Sequence, residues 1–141
     1  MVRISNFELI RLLKKNARTS FVDMAKHFGV SETAVRKRVK ILEAKGVIRK
    51  YTVDVDPRKI GFEIDVLVGI DTRPEKYIHV LEKLKAMKDV IMLCSSSGDH
   101  MMMAECWFEN SQQLANFVKS LEKIDGVTKI CPAIINDRMK C

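Results

Sequence analysis

Two short stretches of this 141-residue chain group side chains closely enough to act together. The first runs from Ser31 to Lys40 and carries Thr33, Arg36, Lys37, Arg38 and Lys40 within one helical length. A guanidinium can donate two parallel hydrogen bonds to a guanine edge, and an ammonium neutralises phosphate, so this is chemistry suited to a polyanion. Any helical hairpin with a solvated basic face would look the same at this level. The second stretch is Ser97-Gly98-Asp99-His100. Serine, carboxylate and imidazole invite a hydrolytic reading, but that relay runs in line from serine to imidazole to carboxylate. Neighbours in one tight turn cannot span it, and no enzymatic role is expected. Cys94, Cys106, Cys131 and Cys141 form no CxxC pair and no metal-ligand spacing with histidine. They read as small apolar fillers in a reducing compartment, with Cys141 frayed and exposed. Met92 and Met101 to Met103 are thioethers that copper could use, yet packing of sheet faces is the simpler role. No metal and no cofactor are expected.

The elements around the first stretch place it on a corner. Ser20 with Asp23 three residues on opens a helix that buries Met24, Ala25 and Phe28. Gly29 supplies the left-handed conformation at its end, and Ser31 caps the next helix with Glu32 in its first turn. Val35, Val39 and Leu42 then face inward, leaving Glu32, Thr33, Arg36, Lys37, Lys40 and Ala44 on the opposite side. Ala25, Gly29 and Val35 have the spacing of a helix-turn-helix: a small residue at the crossing, a glycine at the corner, a branched wedge between helices. Such a unit presents its second helix to a major groove. An earlier helix opens at a Ser5–Glu8 capping box and runs to about Asn16, with Leu9, Ile10 and Leu13 inward. Gly46 ends the long third helix, and 47–55 alternates as a wing hairpin or a strand leaving the module.

Charge follows the same division. Residues 1–60 hold 15 Lys/Arg against 6 Asp/Glu, whereas residues 61–141 hold 10 against 12, so the net +7 belongs to the first segment. A basic half joined to a mildly acidic one argues for a polyanion-binding module attached to something else. No apolar run is long enough to cross a bilayer and no signal-peptide core is present, so a cytoplasmic location without membrane partners is expected.

The composition changes at Asp56-Pro57 and Ile60-Gly61, a linker. Beyond it Ile64, Val66, Val68 and Ile70 mark one face of a strand, and Tyr77, Val80, Leu81, Leu84 and Met87 trace a helix after Pro74. Two strands follow, from Val90 to Ser95 and from Met101 to Phe108, joined by the turn that carries Ser97 to His100. Ser111 caps a second helix with Leu114, Phe117, Val118 and Leu121 inward. A last strand runs from Val127 to Ile135, its Pro132 fitting an edge or a bulge. The order strand, helix, strand, strand, helix, strand is the ferredoxin-like βαββαβ arrangement, with both helices on one sheet face. Leu67, Leu93, Met103 and Trp107 are candidates for the other face, which a partner subunit could cover.

Read together, the two halves resemble the Lrp/AsnC (feast/famine) transcription regulators, and archaeal members most of all. The matching residues are Asn16-Ala17-Arg18, Asp23-Met24-Ala25, Phe28 to Ser31, Val35, Arg38-Val39, Leu42-Glu43 and Gly46-Val47-Ile48. They continue through Tyr51, Asp56-Pro57, Ile60-Gly61, Ser97-Gly98-Asp99 and Ile124 to Val127. The resemblance implies an α+β chain: a winged helix-turn-helix over residues 1–50, a hinge strand and linker over 51–62, and a ferredoxin-like effector and oligomerisation domain over 63–141. It implies a sequence-specific regulator that meets a pseudo-palindromic double-stranded DNA operator through Ser31, Thr33, Arg36, Lys37, Arg38 and Lys40. Arg38, nearer the helix flank, suits a phosphate contact or a structural hydrogen bond. The resemblance further implies a homodimer assembling to tetramer or octamer, and a small amino-acid effector near Ser97, Gly98, Asp99 and His100. Turn amides would hold its carboxylate, and Asp99 its amine. Many members have an aromatic and a second Asp after that turn, where this chain has His100 and Met101. Two alternatives stand beside this reading: an enzyme of the sirohaem-decarboxylase kind on the same plan, against which the dense basic face argues, and a nonspecific architectural DNA-binding protein.

Overall fold

The structure, a computed structural model, describes residues 4–140; the expectation for Cys141 lies outside them. The chain divides into two compact units, Met1–Asp54 and Val55–Cys141.

The first unit holds three helices, α1 (Asn6–Lys15), α2 (Phe21–Phe28) and α3 (Glu32–Ala44). Each begins at a serine whose hydroxyl accepts the amide three residues on: Ser5 from Glu8, Ser20 from Asp23 and Ser31 from Ala34. These bonds satisfy N–H groups that a helix start leaves unpaired. The reciprocal half of the Ser5–Glu8 box is not made, because the Glu8 carboxylate faces Arg11 at 3.5 Å and His27 at 3.6 Å. Gly29 turns the corner at φ 64°, and its amide bonds back to Ala25 and Lys26. Leu9, Met24, Val35, Val39 and Leu42 lock the helices together, each at most 4% exposed. The strand or hairpin expected over 47–55 does not form: residues 49–56 carry no regular structure, and Val53 is exposed. A strand needs a laddered neighbour, and the three helices offer none.

The second unit opens with a short 3₁₀ turn, Pro57–Ile60, capped by Asp56 inside the stretch expected as linker. The strands are β1 (Ile64–Thr72), β2 (Val90–Ser95), β3 (Met102–Phe108) and β4 (Val127–Ile134), with helices α4 (Tyr77–Ala86) and α5 (Ser111–Glu122). They form one antiparallel sheet in the order β2-β3-β1-β4. Val66, Val68 and Ile70 of β1 and Met102, Ala104 and Cys106 of β3 are fully buried against Val80, Leu84, Phe117 and Leu121, so both helices cover one face. Pro132 lies on the edge strand β4, where a missing N–H is tolerated.

Two positions in the second unit also differ from expectation. Asn110, not Ser111, caps α5: its backbone is extended and its side chain accepts from the Gln113 amide. Leu93 lies on the helix-covered face, not the open one. An irregularity between Val90 and Met92 shifts the β2–β3 register, pairing Leu93 with buried Ala104 and turning Met92 and Cys94 to the open side. Leu67, Met103 and Trp107 do sit on that open face, with Asp65, Glu105 and Asp71. Arg138 lies over it, bonded to Asp65 and Glu105 at 2.9 Å each.

Candidate functional site

On α3 the burial pattern separates two faces. Val35, Val39 and Leu42 are 0–4% exposed, whereas Ser31, Glu32, Thr33, Arg36, Lys37 and Lys40 all face solvent. Thr33, Arg36, Lys37 and Lys40 border a shallow hollow floored by Ile41 and Ala44. Four of the six expected contact residues therefore share one surface. Ser31 flanks it: its oxygen is taken by the cap, but its hydroxyl hydrogen remains available to a phosphate. Arg38 is half-buried, and its Nη1 donates to the Ile4 carbonyl at 3.2 Å and to Asn6 Oδ1 at 2.8 Å. Of its two expected roles this is the structural one, tying α3 to the start of α1.

Arg36 is held differently from the lysines. Its Nη2 donates to Glu32 Oε1 at 2.8 Å, and its Cζ lies 5.2 Å from the centre of the Phe21 ring. Lys37 and Lys40 have no ion-pair partner among the described residues. The Glu32–Arg36 pair is an i,i+4 spacing visible in sequence. Phe21 left no such signal, because only the α2–α3 corner brings it near.

In the second unit Ser97, Gly98 and Asp99 are exposed in the β2–β3 turn, with Gly98 at φ 102°. His100 is not with them. Its Nδ1 lies 2.9 Å from Asp71 Oδ2, while the Met101 amide donates to Asp71 Oδ1 at 2.9 Å and Ser96 Oγ donates to the His100 carbonyl. The ring rests on Gly69, where a Cβ would come within 2.4 Å of it. Burial works to raise the Asp71 carboxyl, but hydrogen bonds from His100 and the Met101 amide, with the pull of His100 and Lys129, hold it below its ordinary value. Asp71 was not foreseen, being 29 residues from its partner. The turn thus carries Asp99, whose carboxylate has no partner among the described residues, and is anchored at its base by a histidine–aspartate bond.

A helix-turn-helix with a cationic outer face, joined in one chain to a ferredoxin-like unit, defines a DNA-binding regulator with a separate second domain. Family comparison agrees on both halves: residues 3–49 match the winged helix-turn-helix DNA-binding family and residues 65–141 match the Lrp/AsnC ligand binding domain. The chain belongs to the Lrp/AsnC family of DNA-binding transcription regulators. It is 51% identical over 133 residues to the HTH-type transcriptional regulator LrpA of Pyrococcus abyssi, covering 94% of each chain. Solved structures share the fold, two of them with a bound amino acid. A transcriptional regulator of Neisseria meningitidis, complexed with L-Met, aligns at TM-score 0.85 and 16% identity, over 99% of this chain and 94% of that one. A feast or famine regulatory protein of M. tuberculosis, complexed with L-methionine, aligns at TM-score 0.82 and 22% identity, over 94% and 90%. At these identities the likeness speaks to fold alone.

Proposed function

We propose that this protein is a sequence-specific regulator that docks α3 in the major groove of a pseudo-palindromic operator as a homodimer or larger assembly. A free amino acid bound at the β2–β3 turn modulates it. The observation that carries the DNA reading is the division of α3, with Thr33, Arg36, Lys37 and Lys40 outward and Val35, Val39 and Leu42 packed behind. That arrangement aims cations at phosphate while the core holds the helix rigid. Selection of duplexes from a random pool, followed by gel retardation, tests it. The wild-type chain enriches a two-fold-related sequence, and Lys37→Ala with Lys40→Ala weakens binding without unfolding the chain. Retardation unchanged in that double variant would show that α3 is not the contact surface.

The effector reading rests on the exposed Ser97–Asp99 turn, whose amides and Asp99 carboxylate make no hydrogen bond among the described residues and suit the carboxylate and ammonium of an amino acid. Methionine, bound in the two structural neighbours, is the first amino acid to test. His100, bonded to Asp71, anchors the turn. Assembly is supported by the open sheet face, where neither α4 nor α5 covers Leu67, Met92, Met103 or Trp107. A second copy covering that face would bury them.

A further inference from the structure

We infer that Arg36 is the residue of α3 that reads a base, that the base is guanine, and that Glu32 and Phe21 are its positioning residues. The inference rests on the proposed docking of α3 and goes beyond it by dividing the cationic face into a reader and phosphate contacts.

Three cations on that face are free to reach DNA, and only one is held in a defined pose. Arg36 is bracketed on two sides: Glu32 Oε1 takes one N–H at 2.8 Å, and the Phe21 ring supports the guanidinium at 5.2 Å. Phe21 is itself anchored, half-buried against the core of the first unit, so the ring does not move with the arginine. A guanidinium over an aromatic face is attracted by the ring quadrupole. The bond to Glu32 uses one of five N–H donors and leaves enough for the two-bond pairing with guanine O6 and N7. An arginine whose side-chain order is established before binding loses less freedom on docking, which favours a directional contact. Arg36 also lies in the first half of α3, the end that such helices insert toward base edges.

The other cations lack this support. Lys37 and Lys40 are exposed, flexible point charges with no ion pair among the described residues, suited to phosphates, which need charge without direction. Arg38 has its Nη1 committed to Ile4 and Asn6.

The test uses the full chain. Its preferred duplex is found by selection from a random pool, and affinities are then measured for every single-base variant of that duplex at two salt concentrations. The wild-type chain prefers guanine at one position per half-site, by about ten- to a hundredfold. Arg36→Ala and Arg36→Lys both flatten that position to within about threefold and leave the other positions discriminating, because a lysine restores the charge but not the two-bond fork. Glu32→Gln and Phe21→Leu reduce discrimination at the same position by several-fold while the salt dependence stays as in the wild type. Lys37→Ala and Lys40→Ala weaken all duplexes alike and lower the salt slope by about one each. Guanine preference that persists in Arg36→Ala overturns the inference while the docking of α3 stands. Wild-type discrimination in both Glu32→Gln and Phe21→Leu removes the positioning role; Glu32 is exposed, so its variant decides the point should Phe21→Leu fold poorly. A wild-type chain that enriches no sequence refutes the proposed function and this inference with it.

Discussion

Asp71 ties the base of the β2–β3 turn to the sheet through two bonds, one to the His100 ring and one from the Met101 amide. Replacing it with alanine strands both groups and should cost about 1–3 kcal/mol in urea unfolding at pH 7. Because the folded carboxyl titrates below its ordinary 3.8, its contribution is present above that pH and is lost as pH falls through the lower folded value. The stability gap between wild type and Asp71→Ala should therefore narrow as pH falls below the ordinary carboxyl value and through the lower folded one; a gap that stays constant through that fall would show that the charge is irrelevant. Gly69 answers to the same pair, since a side chain there collides with the His100 ring. Gly69→Ala should expel the ring and lose its bond to Asp71, read as changed His100 ring resonances by NMR. Cysteine reactivity follows burial: Cys106 is enclosed by the core, and burial, with Asp89 and Glu105 nearby, pushes its thiol up to about 12. A thiol reagent with peptide mapping should label Cys106 only after denaturation.

At the scale of elements, α3 is positioned by a cap, a corner and a core, and each has its own cost. Ser31→Ala removes the bond to the Ala34 amide, for a loss of about 1 kcal/mol. Gly29→Ala puts a Cβ on a backbone at φ 64°, worth about 1–2 kcal/mol. Leu42→Ala opens a cavity behind the outward face and should cost about 2–5 kcal/mol. Thermal unfolding of the three variants checks this order; a Leu42→Ala as mild as the cap variant would place that residue outside the core. Most of these features were legible in the sequence because capping and helical periodicity are local. Others were not. Asn110 and Ser111 are both good caps, and only the extended backbone at Asn110 decides between them. The alternation of β2 points Leu93 outward until the irregularity at Val90 to Met92 turns it back. The alternating 47–55 stretch has the composition of a strand but finds no ladder.

The whole molecule joins a basic DNA-binding unit to a sheet with one face that neither helix of its unit covers. If a second copy covers that face, light scattering should give an even number of chains, and Leu67→Asp should shift the population to monomers by burying a charge where a leucine was. Two-fold pairing sets α3 helices against half-sites about 34 Å apart, or a multiple of that, so inserting five base pairs between selected half-sites should abolish tight binding. An amino acid bound to the native state at about a hundredfold over its Kd stabilises by about 2.7 kcal/mol, which a thermal-shift panel of the twenty amino acids reads as a rise in Tm of several degrees. Asp99→Ala should remove that rise. A flat panel would count against effector binding at the turn.

The sequence alone established the helix-turn-helix, the βαββαβ order and the outward cations of α3, since each depends on residues within a few positions of one another. Tertiary structure decided which cation is held rigid and which is spent internally. It also decided which turn residue stays free and which folds back. Phe21 reaches Arg36, Arg38 reaches Ile4, and His100 reaches Asp71 only after separate elements pack. Contacts between distant positions arise from packing, and local pattern carries no record of them.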